Sequence, residues 1–147
     1  MNGDATQSTC PFCEFIRSQQ PVVENGTFFA RYDRYPVSPG HLLLIPRRHI
    51  ASFFDLSEEE GRDLFDLLLK ARGILDTRFR PDGYNIGVND GHAAGQTVMH
   101  LHIHMIPRHF GDVDNPRGGV RGVIPELTDY RLDNGQLGNT SDWPIET

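Results

Sequence analysis

The segment QTVMHLHIHMIPRHFGD restricts the folding of this chain more than any other stretch. Across residues 98–106 apolar side chains alternate with three histidines, a pattern typical of a half-buried β-strand. We therefore predict that His100, His102 and His104 line one face of a strand, about 6.5–7 Å apart. Proline cannot donate to a ladder, so Pro107 is predicted to end the strand. The opposite, core-facing side is predicted to carry Met99, Leu101, Ile103 and Met105.

Three histidines on one strand face suit metal ligation or phosphate chemistry, because a phosphate-sized group can touch two neighbouring imidazoles at once. A cupin-like metal site would need a glutamate a few residues on, and none stands between His104 and Glu126. A metallo-β-lactamase-like site would need an aspartate inside the cluster, and HLHIHM contains none. Both of these metal sites therefore lack a required ligand.

Length and charge exclude several broad classes. At 147 residues we predict a single domain with one core. No apolar run approaches the roughly 20 residues of a membrane span, and the polar start MNGDATQST predicts no secretory signal. We expect a cytoplasmic protein. The net charge of −6 disfavours nucleic acid and anionic membranes as partners, while one small anion can still bind at a local basic site.

The cysteines are Cys10 and Cys13, which form a CxxC pair. In a reducing compartment we expect no structural disulfide. A thioredoxin-type redox site would need a strand before the pair, where only nine polar residues stand. Metal binding is the better interpretation of this pair, and it requires two further ligands.

The rest of the pattern predicts an α+β domain, an antiparallel sheet with one long helix and short helices. Further strands are predicted at residues 27–33, 41–45 and 84–89, and a short helix at residues 12–17. The first two of these strands form a hairpin around the PVSPG turn. Ser57 and Glu60 form a capping box at the start of the long helix, which Pro81 stops. Its core stripe is predicted to be Leu64, Leu67, Leu68, Ala71, Ile74 and Leu75.

With these elements placed, the chain is similar to the histidine-triad (HIT) family. The family pattern His-φ-His-φ-His-φ-φ, in which φ is apolar, is matched by HLHIHMI, and GQTV and PGHLLLIPRRH match at the expected separation. The resemblance covers about residues 10–123 and leaves 124–147 as an irregular tail of one domain, 1–147. The stretch PRHFGDVDNPRGGVR resembles the bacterial diadenosine-polyphosphate-hydrolase-like branch.

The resemblance implies a HIT-like homodimer that acts as a nucleotide hydrolase. Such an enzyme cleaves dinucleoside polyphosphates at the α-phosphate through a nucleotidyl-histidine intermediate, without a catalytic cofactor. The resemblance assigns the covalent step to His102, and neutral imidazole suits it as both nucleophile and leaving group. Its other N–H must be held by an acceptor, which we expect to be a backbone carbonyl. His104 and Gln96 match positions that contact the phosphate or the leaving oxygen, and His100 completes the triad.

The resemblance also implies a set of substrate-binding residues. His41 matches a fourth histidine around the phosphate, and Thr97 matches a position near the leaving group. Asp33 matches the position that holds the ribose hydroxyls, and Asn89 one near the phosphate. A turn-starting role is the alternative for both Asp33 and Asn89. Backbone N–H groups of residues 95–98 can add donors, because a glycine lets the chain approach closely.

A polyphosphate also needs positive charge beyond the α-phosphate. Arg117 and Arg121 lie on the glycine-rich stretch NPRGGVR, and the planar guanidinium donates two parallel hydrogen bonds to phosphate. We therefore predict that they bind substrate. A solvated loop is the alternative interpretation.

Some bacterial members of the family hold a structural zinc between a CxxC pair, a later histidine and the first histidine of the motif. The corresponding residues here are Cys10, Cys13, His49 and His100. Two thiolates and two imidazoles suit a closed tetrahedral zinc site. Two reduced cysteines near the start of a helix are the alternative.

Other functions stay open. A purine nucleoside phosphoramidase would present its α-phosphate to the same histidine, whereas a non-catalytic nucleotide-binding module would not need His102. A nucleic-acid deadenylating branch of the family is disfavoured by the net charge of −6. The leaving group and the base stay open as well, because apolar base pockets discriminate poorly without dedicated hydrogen bonds.

Overall fold

The computed structural model describes residues 9–129 of the chain. These residues divide after Phe110 into two compact units. The first unit holds the sheet and the helices, and the second holds two short 3-10 helices, Gly119–Val123 and Pro125–Leu127. The single domain with an irregular tail stays a prediction, and residues 130–147 of that tail lie outside the described part. Within the described part, no helix has the length and apolar character needed to cross a membrane.

The first unit is built on a five-stranded antiparallel sheet with the strand order β1-β2-β3-β5-β4. The strands are β1 (Val23–Glu24), β2 (Phe28–Tyr32), β3 (Leu42–Pro46), β4 (Gly83–Val88) and β5 (Ile103–Arg108), and the helices are α1 (Pro11–Ser18) and α2 (Glu58–Phe79). The predicted hairpin is formed by β2 and β3, with Ala30 opposite Leu44. The α+β prediction is confirmed.

The long helix α2 begins and ends on local signals. The Glu60 N–H donates to Oγ of Ser57 at 3.2 Å, and the Ser57 N–H donates to the Glu60 carboxylate at 2.9 Å, which completes the predicted capping box. The helix ends at Phe79, and Arg80 follows in a left-handed conformation with φ 48°. Pro81 then prevents a further turn. The buried positions of the stripe are Leu64, Leu67, Ala71 and Leu75.

Each face of the sheet carries an apolar cluster. Helix α2 packs on one face, against side chains of β2, β3 and β5. Helix α1 packs on the other face, where Phe15 stacks on Phe29 with ring centroids 5.7 Å apart. His104 lies opposite Leu43 in the ladder, and Leu43 belongs to the α1-side cluster. The face that carries His104 is therefore the face under α1.

The histidine strand starts later than the pattern predicts. Strand β5 begins at Ile103, so the first two histidines of the triad precede the ladder. Two features of the neighbouring backbone explain this start. The last residue of β4, Val88, pairs with Ile103, so β4 offers no partner further back. The N–H of Leu101 donates instead to the carbonyl of Ile50 at 2.6 Å, outside the sheet.

Two single-residue predictions for this strand are wrong. Met99 is 39% exposed, because the chain bends before β5 and the alternation of faces does not reach it. Pro107 does not end the strand, which continues to Arg108. Strand β3 pairs with β5 only as far as Met105, so beyond that residue β5 is paired with β4 alone and its other side is an open edge. A proline, which has no N–H to donate, is tolerated at such an edge. The three other core positions are buried as predicted: Leu101, Ile103 and Met105.

Candidate active site

His102 is held directly before β5 with one ring nitrogen bare. It is 9% exposed, and its Nδ1–H donates to the backbone carbonyl of His100 at 2.9 Å. A neutral imidazole carries one ring proton, so this bond fixes the proton on Nδ1 and leaves the lone pair on Nε2. His102 also lines a cavity of about 920 Å³. The arrangement places a potential nitrogen nucleophile, Nε2 of His102, beside that cavity.

His41 and His104 form a hydrogen-bonded pair with the opposite proton placement. The N–H of Val37 donates to Nδ1 of His41 at 3.3 Å, so the ring proton of neutral His41 lies on Nε2. That Nε2–H is 2.9 Å from Nδ1 of His104 and donates to it. His104 therefore carries its own proton on Nε2. The site thus combines a bare nitrogen on His102 with an N–H on His104.

Burial keeps the histidine pair neutral. Desolvation, followed by the nearby rings of His102 and His41, lowers the pKa of His104 to about 4. Burial also lowers the pKa of His41, and Asp33 opposes that shift. Oδ2 of Asp33 lies 3.6 Å from Nε2 of His41 and 4.0 Å from Nδ1 of His104. Near pH 7 both rings of the pair are therefore uncharged.

The cavity beside these rings has the size of a ligand site. Small-molecule pockets span about 300–1,000 Å³, and about 920 Å³ accommodates a nucleotide. Its lining combines α1, β2 and the loop after β4, and includes Phe12, Phe15, Arg31, Asp33, Asn89, Gly95, Thr97, Val98, His102 and His104. The structure thus brings Asp33, Asn89 and Thr97 to the cavity wall with the two histidines. Their contacts with substrate stay predictions.

Asp33 serves both of the interpretations that its sequence position allows. Its Oδ1 accepts from the N–H of Tyr35 at 2.9 Å, which is the turn-forming contact. Its Oδ2 faces the histidine pair. One carboxylate therefore shapes the turn and adds negative charge beside the pair.

Gln96 is placed differently from the other predicted site residues. It is 3% exposed, and its amide Nε2 donates to the carbonyls of Ala51 and Val98 at 2.8 and 3.2 Å. Its Oε1 accepts from the N–H of Gly91 at 2.8 Å. Both ends of the amide are therefore engaged by backbone. This geometry supports Gln96 as a brace for the loop that carries Thr97, rather than as a contact to the phosphate.

The same loop fixes which backbone donors are available. Gly95 has φ 87°, a conformation that favours glycine, and its N–H donates to the carbonyl of His92 at 3.0 Å. The Gln96 N–H is likewise used inside the loop. Within residues 95–98, the N–H groups without a described acceptor are those of Thr97 and Val98. Of the backbone N–H groups predicted to donate to the phosphate, those of Thr97 and Val98 are therefore the ones that stay available.

A second cluster of chemically active side chains lies under α1. Cys10, Cys13, His49 and His100 come together with all four ligand atoms within 4.8 Å of one another. Sγ of Cys10 lies 3.4 Å from Nδ1 of His100, and Sγ of Cys13 lies 3.3 Å from Nδ1 of His49. Ligands bonded at 2.0–2.3 Å to a tetrahedral zinc stand roughly 3.3–3.8 Å apart. The spacing of the donors therefore matches that geometry.

The residues around this cluster leave its ligand atoms in a state suited to binding a cation. The Nε2–H of His100 donates to the carbonyl of Pro46 at 2.8 Å, which leaves Nδ1 bare and aimed at the sulfurs. Burial lowers the pKa of His100 to about 4 and so keeps this ring neutral. Burial, with the adjacent Cys10 thiol, raises the pKa of the Cys13 thiol. A bound cation would have to displace that proton.

The two predicted arginines belong to the second compact unit. The Arg117 N–H donates to Oδ1 of Asn115 at 3.2 Å, and Nε of Arg121 donates to the carbonyl of Thr128 at 3.3 Å. The binding of polyphosphate by these residues stays a prediction.

The sequence interpretation missed the wall that α1 supplies to the cavity. Phe12 and Phe15 line it, and the guanidinium of Arg31 lies 4.3 Å from the centroid of the Phe15 ring. A signal was present in the sequence, because Phe12 stands inside the CxxC pair. Bringing that pair to His100 necessarily brings Phe12 to the histidines.

The chain is similar to several known proteins. The HIT domain family matches residues 17–111. The chain is 34% identical over 134 residues to a protein named AP-4-A phosphorylase from Mycobacterium tuberculosis, covering 84% of this chain and 68% of that protein. It is 40% identical over 100 residues to a bis(5'-adenosyl)-triphosphatase of Dictyostelium discoideum, covering 68% of this chain and 67% of that protein. A crystal structure of a Zn-bound histidine triad family protein from Mycobacterium smegmatis superposes with a TM-score of 0.65 at 28% identity, covering 88% of this chain and 99% of that chain.

Proposed function

This chain belongs to the HIT family, and from that premise we propose that it cleaves dinucleoside polyphosphates at the α-phosphate through a nucleotidyl-histidine intermediate on His102. The observation that carries the proposal is the bond from Nδ1–H of His102 to the His100 carbonyl at 2.9 Å, beside a nucleotide-sized cavity. It keeps Nε2 available for covalent attack. The names of the two curated relatives support the substrate class.

The proton placements support a two-step displacement. In the first step Nε2 of His102 bonds to the α-phosphorus while the P–O bond to the departing phosphate chain breaks. Nε2–H of His104 donates a hydrogen bond to the departing oxygen, which leaves as the anionic end of the phosphate chain. In the second step water attacks the same phosphorus, its released proton passes to solvent, and the P–N bond to His102 breaks. His102 regains its lone pair on Nε2, and His104 keeps its proton on Nε2 throughout.

Stabilisation of the charge on the transition state is assigned to the loop that carries Thr97 and Val98. A phosphoryl transition state spreads negative charge over the non-bridging oxygens, which need donors aimed at them. The N–H groups of Thr97 and Val98 are the backbone candidates for that task. Asn89 lies on the cavity wall with its side-chain amide, and Asp33 on the same wall is the proposed acceptor from the ribose hydroxyls.

The decisive experiment compares wild-type protein with His102→Asn on diadenosine tetraphosphate and on an adenosine phosphoramidate. We expect the variant to keep its thermal midpoint and its nucleotide affinity and to lose at least about 1,000-fold in kcat. Rapid quenching of the wild-type reaction and mass spectrometry should find the nucleotidyl group on His102. Near-normal turnover by His102→Asn would refute the covalent assignment. Turnover of the phosphoramidate alone would identify a phosphoramidase, and binding without turnover would identify a nucleotide-binding module.

Inorganic phosphate is the one alternative to water as the group that attacks the phosphorus in the second step. The Mycobacterium tuberculosis relative is named a phosphorylase, so inorganic phosphate can replace water as the attacking group in that enzyme. With diadenosine tetraphosphate, water would yield AMP and ATP, whereas phosphate would yield ADP and ATP. Product analysis with and without inorganic phosphate distinguishes the two. We propose hydrolysis, which requires AMP to form in the presence of phosphate.

We further propose that Cys10, Cys13, His49 and His100 hold a structural zinc. The donor spacing and the bond from His100 to Pro46 fit a tetrahedral ion. The zinc-bound relative supports the same assignment. The ion would supply cross-linking between α1 and the chain around His100, and no step of the displacement depends on it.

We also propose a homodimer. Strand β4 is an edge strand of the described sheet, and its Ile86 is 48% exposed. Helix α2 exposes Phe65 and Leu69 by 61% and 52%. An open sheet edge and exposed apolar residues are both features of surfaces that associate. Sedimentation of the wild type and of Ile86→Lys tests this, and a wild type that sediments as a monomer at micromolar concentration would refute it.

A further inference from the structure

We propose that Phe12 is a positioning residue that couples the Cys10–Cys13–His49–His100 cluster to the ring of His102. The inference rests on the proposed function, in which His102 is the nucleophile. It assigns to α1 a part in the reaction beyond that of a wall of the cavity.

The contacts of Phe12 are directed at the triad. The residue is 8% exposed, and its ring centroid lies 5.2 Å from that of His102 with an interplanar angle of 61°. The same ring meets His100 edge-on, with centroids 5.8 Å apart at 86°. Edge-to-face aromatic pairs at such distances attract beyond the burial of their area. One side chain therefore restrains two consecutive histidines of the motif.

The cluster fixes Phe12 from both sides along the chain. Cys10 and Cys13 flank it, and both sulfurs lie within 3.5 Å of Nδ1 of His100. Phe12 stands two residues from one anchor and one residue from the other. Its backbone therefore has little freedom while the cluster is intact, which limits how far its ring can move from His102.

The second restraint on His102 comes from the same cluster. The carbonyl that accepts from Nδ1 of His102 belongs to His100, whose ring is a member of the cluster. Two contacts therefore hold His102. The backbone carbonyl of His100 accepts from its Nδ1–H, and the ring of Phe12 packs against its ring. Release of α1 would remove the contact from Phe12 and the cysteine anchors of His100, whose ring would then be held by the Pro46 carbonyl.

The expected consequence is a loss of turnover rather than of binding. A covalent step needs the attacking nitrogen in a narrow range of positions, and misplacement by about 1 Å costs roughly 100-fold. A looser His102 ring also gives the proton access to either nitrogen, which lowers the fraction of rings with a bare Nε2. Nucleotide affinity depends on the whole cavity wall, so KM should change far less than kcat.

The test uses Phe12→Leu and Phe12→Ala, with Ile16→Ala as the matched control. Ile16 lies on the same helix and packs against the same apolar cluster, but it does not line the cavity. The readouts are kcat and KM, the thermal midpoint, and the side-chain ¹⁵N NMR signals of the histidines, which report the tautomer of each ring in the substrate-free protein.

We expect kcat to fall about 10–100-fold in Phe12→Leu with KM within about twofold of the wild type. The His102 signals should shift from the pure Nδ1–H tautomer to a mixture. Ile16→Ala should lower the thermal midpoint and leave kcat and the tautomer unchanged. Equal kcat in Phe12→Leu and Ile16→Ala, or an unchanged His102 tautomer in Phe12→Leu, would overturn the proposal. Phe12→Leu preserves most of the apolar volume, so it stays informative where Phe12→Ala unfolds.

The NMR signals also separate this inference from the proposed function. If the wild type turned over no nucleotide, the proposed function would fail, while a tautomer change in Phe12→Leu would still establish the positioning contact. If His102→Asn abolished turnover and Phe12→Leu left both the tautomer and kcat intact, the function would stand and the role of Phe12 would be refuted.

Discussion

Nε2 of His41 lies 2.9 Å from Nδ1 of His104, and this contact orients the proton of a ring that lines the cavity. The order of donors starts at the backbone N–H of Val37 and ends at Nε2–H of His104. His41 is only 3% exposed and does not line that cavity. We therefore expect His41 to set the tautomer of His104, and the phosphate contact that the resemblance implies for His41 stays a prediction.

The first prediction separates the donor function of His41 from its volume. His41→Leu removes the donor that orients His104, and we expect kcat to fall about 100-fold, within the range for the loss of one preorganised hydrogen-bond donor. His41→Gln places an amide N–H near the same point and should recover part of this loss. The measurement is kcat for both variants. Exposed His92→Leu is the control and should match the wild type. Equal losses for Leu and Gln would show that only packing is at stake.

The second prediction concerns the pH dependence of stability. His104 has a pKa of about 4 in the folded protein, against about 6.5 in an unfolded chain. The unfolded chain therefore binds the proton first, so the stability linked to neutral His104 is fully present above about pH 6.5 and is lost as the pH falls toward 4. The loss amounts to about 3 kcal/mol at pH 4.

Urea unfolding at about pH 7 and about pH 4.5 measures this effect through the free energy of unfolding. The groups that face the His104 ring are His41, His102 and Asp33. All of them are retained in His104→Gln, so the difference between wild type and variant isolates His104. We expect the wild type to lose more stability on acidification than His104→Gln. Parallel losses in the two proteins would contradict the pKa assignment.

Elements with local signals could be predicted from the sequence. The capping box of Ser57 and Glu60 and the apolar stripe behind it define α2 without reference to the rest of the chain. The hairpin of β2 and β3 follows from two apolar runs around a proline-glycine turn. The start of β5 could not be predicted in this way, because it depends on where β4 ends and on the competing acceptor at Ile50. The alternation of apolar and polar residues predicts which side chains would share a face of a strand. It does not predict whether a partner strand lies beside that segment.

In the site, too, some features could be predicted from the sequence and others depend on contacts between distant residues. The motif and the resemblance singled out His102, His104 and Asp33, and folding brings them to one cavity. The resemblance likewise implied the four-residue cluster, whose members Cys10 and His100 stand 90 positions apart in the chain. The burial of Gln96 could not be anticipated, because it depends on the carbonyl of Ala51, 45 residues away. Tertiary hydrogen bonds of this kind leave no periodic signal in the sequence.

The third prediction concerns the cluster under α1. Protein purified without chelators should contain one zinc ion per chain. A ligand at about 1,000 times its dissociation constant adds about 4 kcal/mol of stability, which is roughly 10 °C in thermal midpoint for a chain of this size. The double variant Cys10→Ser/Cys13→Ser should lose that increment. Ser18→Ala, on the same helix, should not. Elemental analysis without zinc in the wild type would refute the site.

The last prediction addresses charge. The substrate is a polyanion, whereas the chain carries a net charge of −6, so the phosphates beyond the scissile bond need local positive charge. Arg108 already donates to Oδ1 of Asn85 at 2.6 Å within the sheet. Arg117 and Arg121, on the glycine-rich segment after β5, are the arginines that we expect to bind those phosphates, since a guanidinium forms bidentate bonds with phosphate oxygens.

Arg117→Ala and Arg121→Ala should therefore lower kcat/KM for diadenosine tetraphosphate, each by about 10-fold, the value of one charge-assisted hydrogen bond. A short adenosine phosphoramidate has no distal phosphates, so its kcat/KM should stay within about twofold of the wild type in both variants. Arg62→Ala, an exposed change on α2 that removes the same charge, controls for the overall field. Equal losses on the two substrates would mean that the arginines act on the fold or the dimer. No loss on either substrate would mean that the segment is a solvated loop.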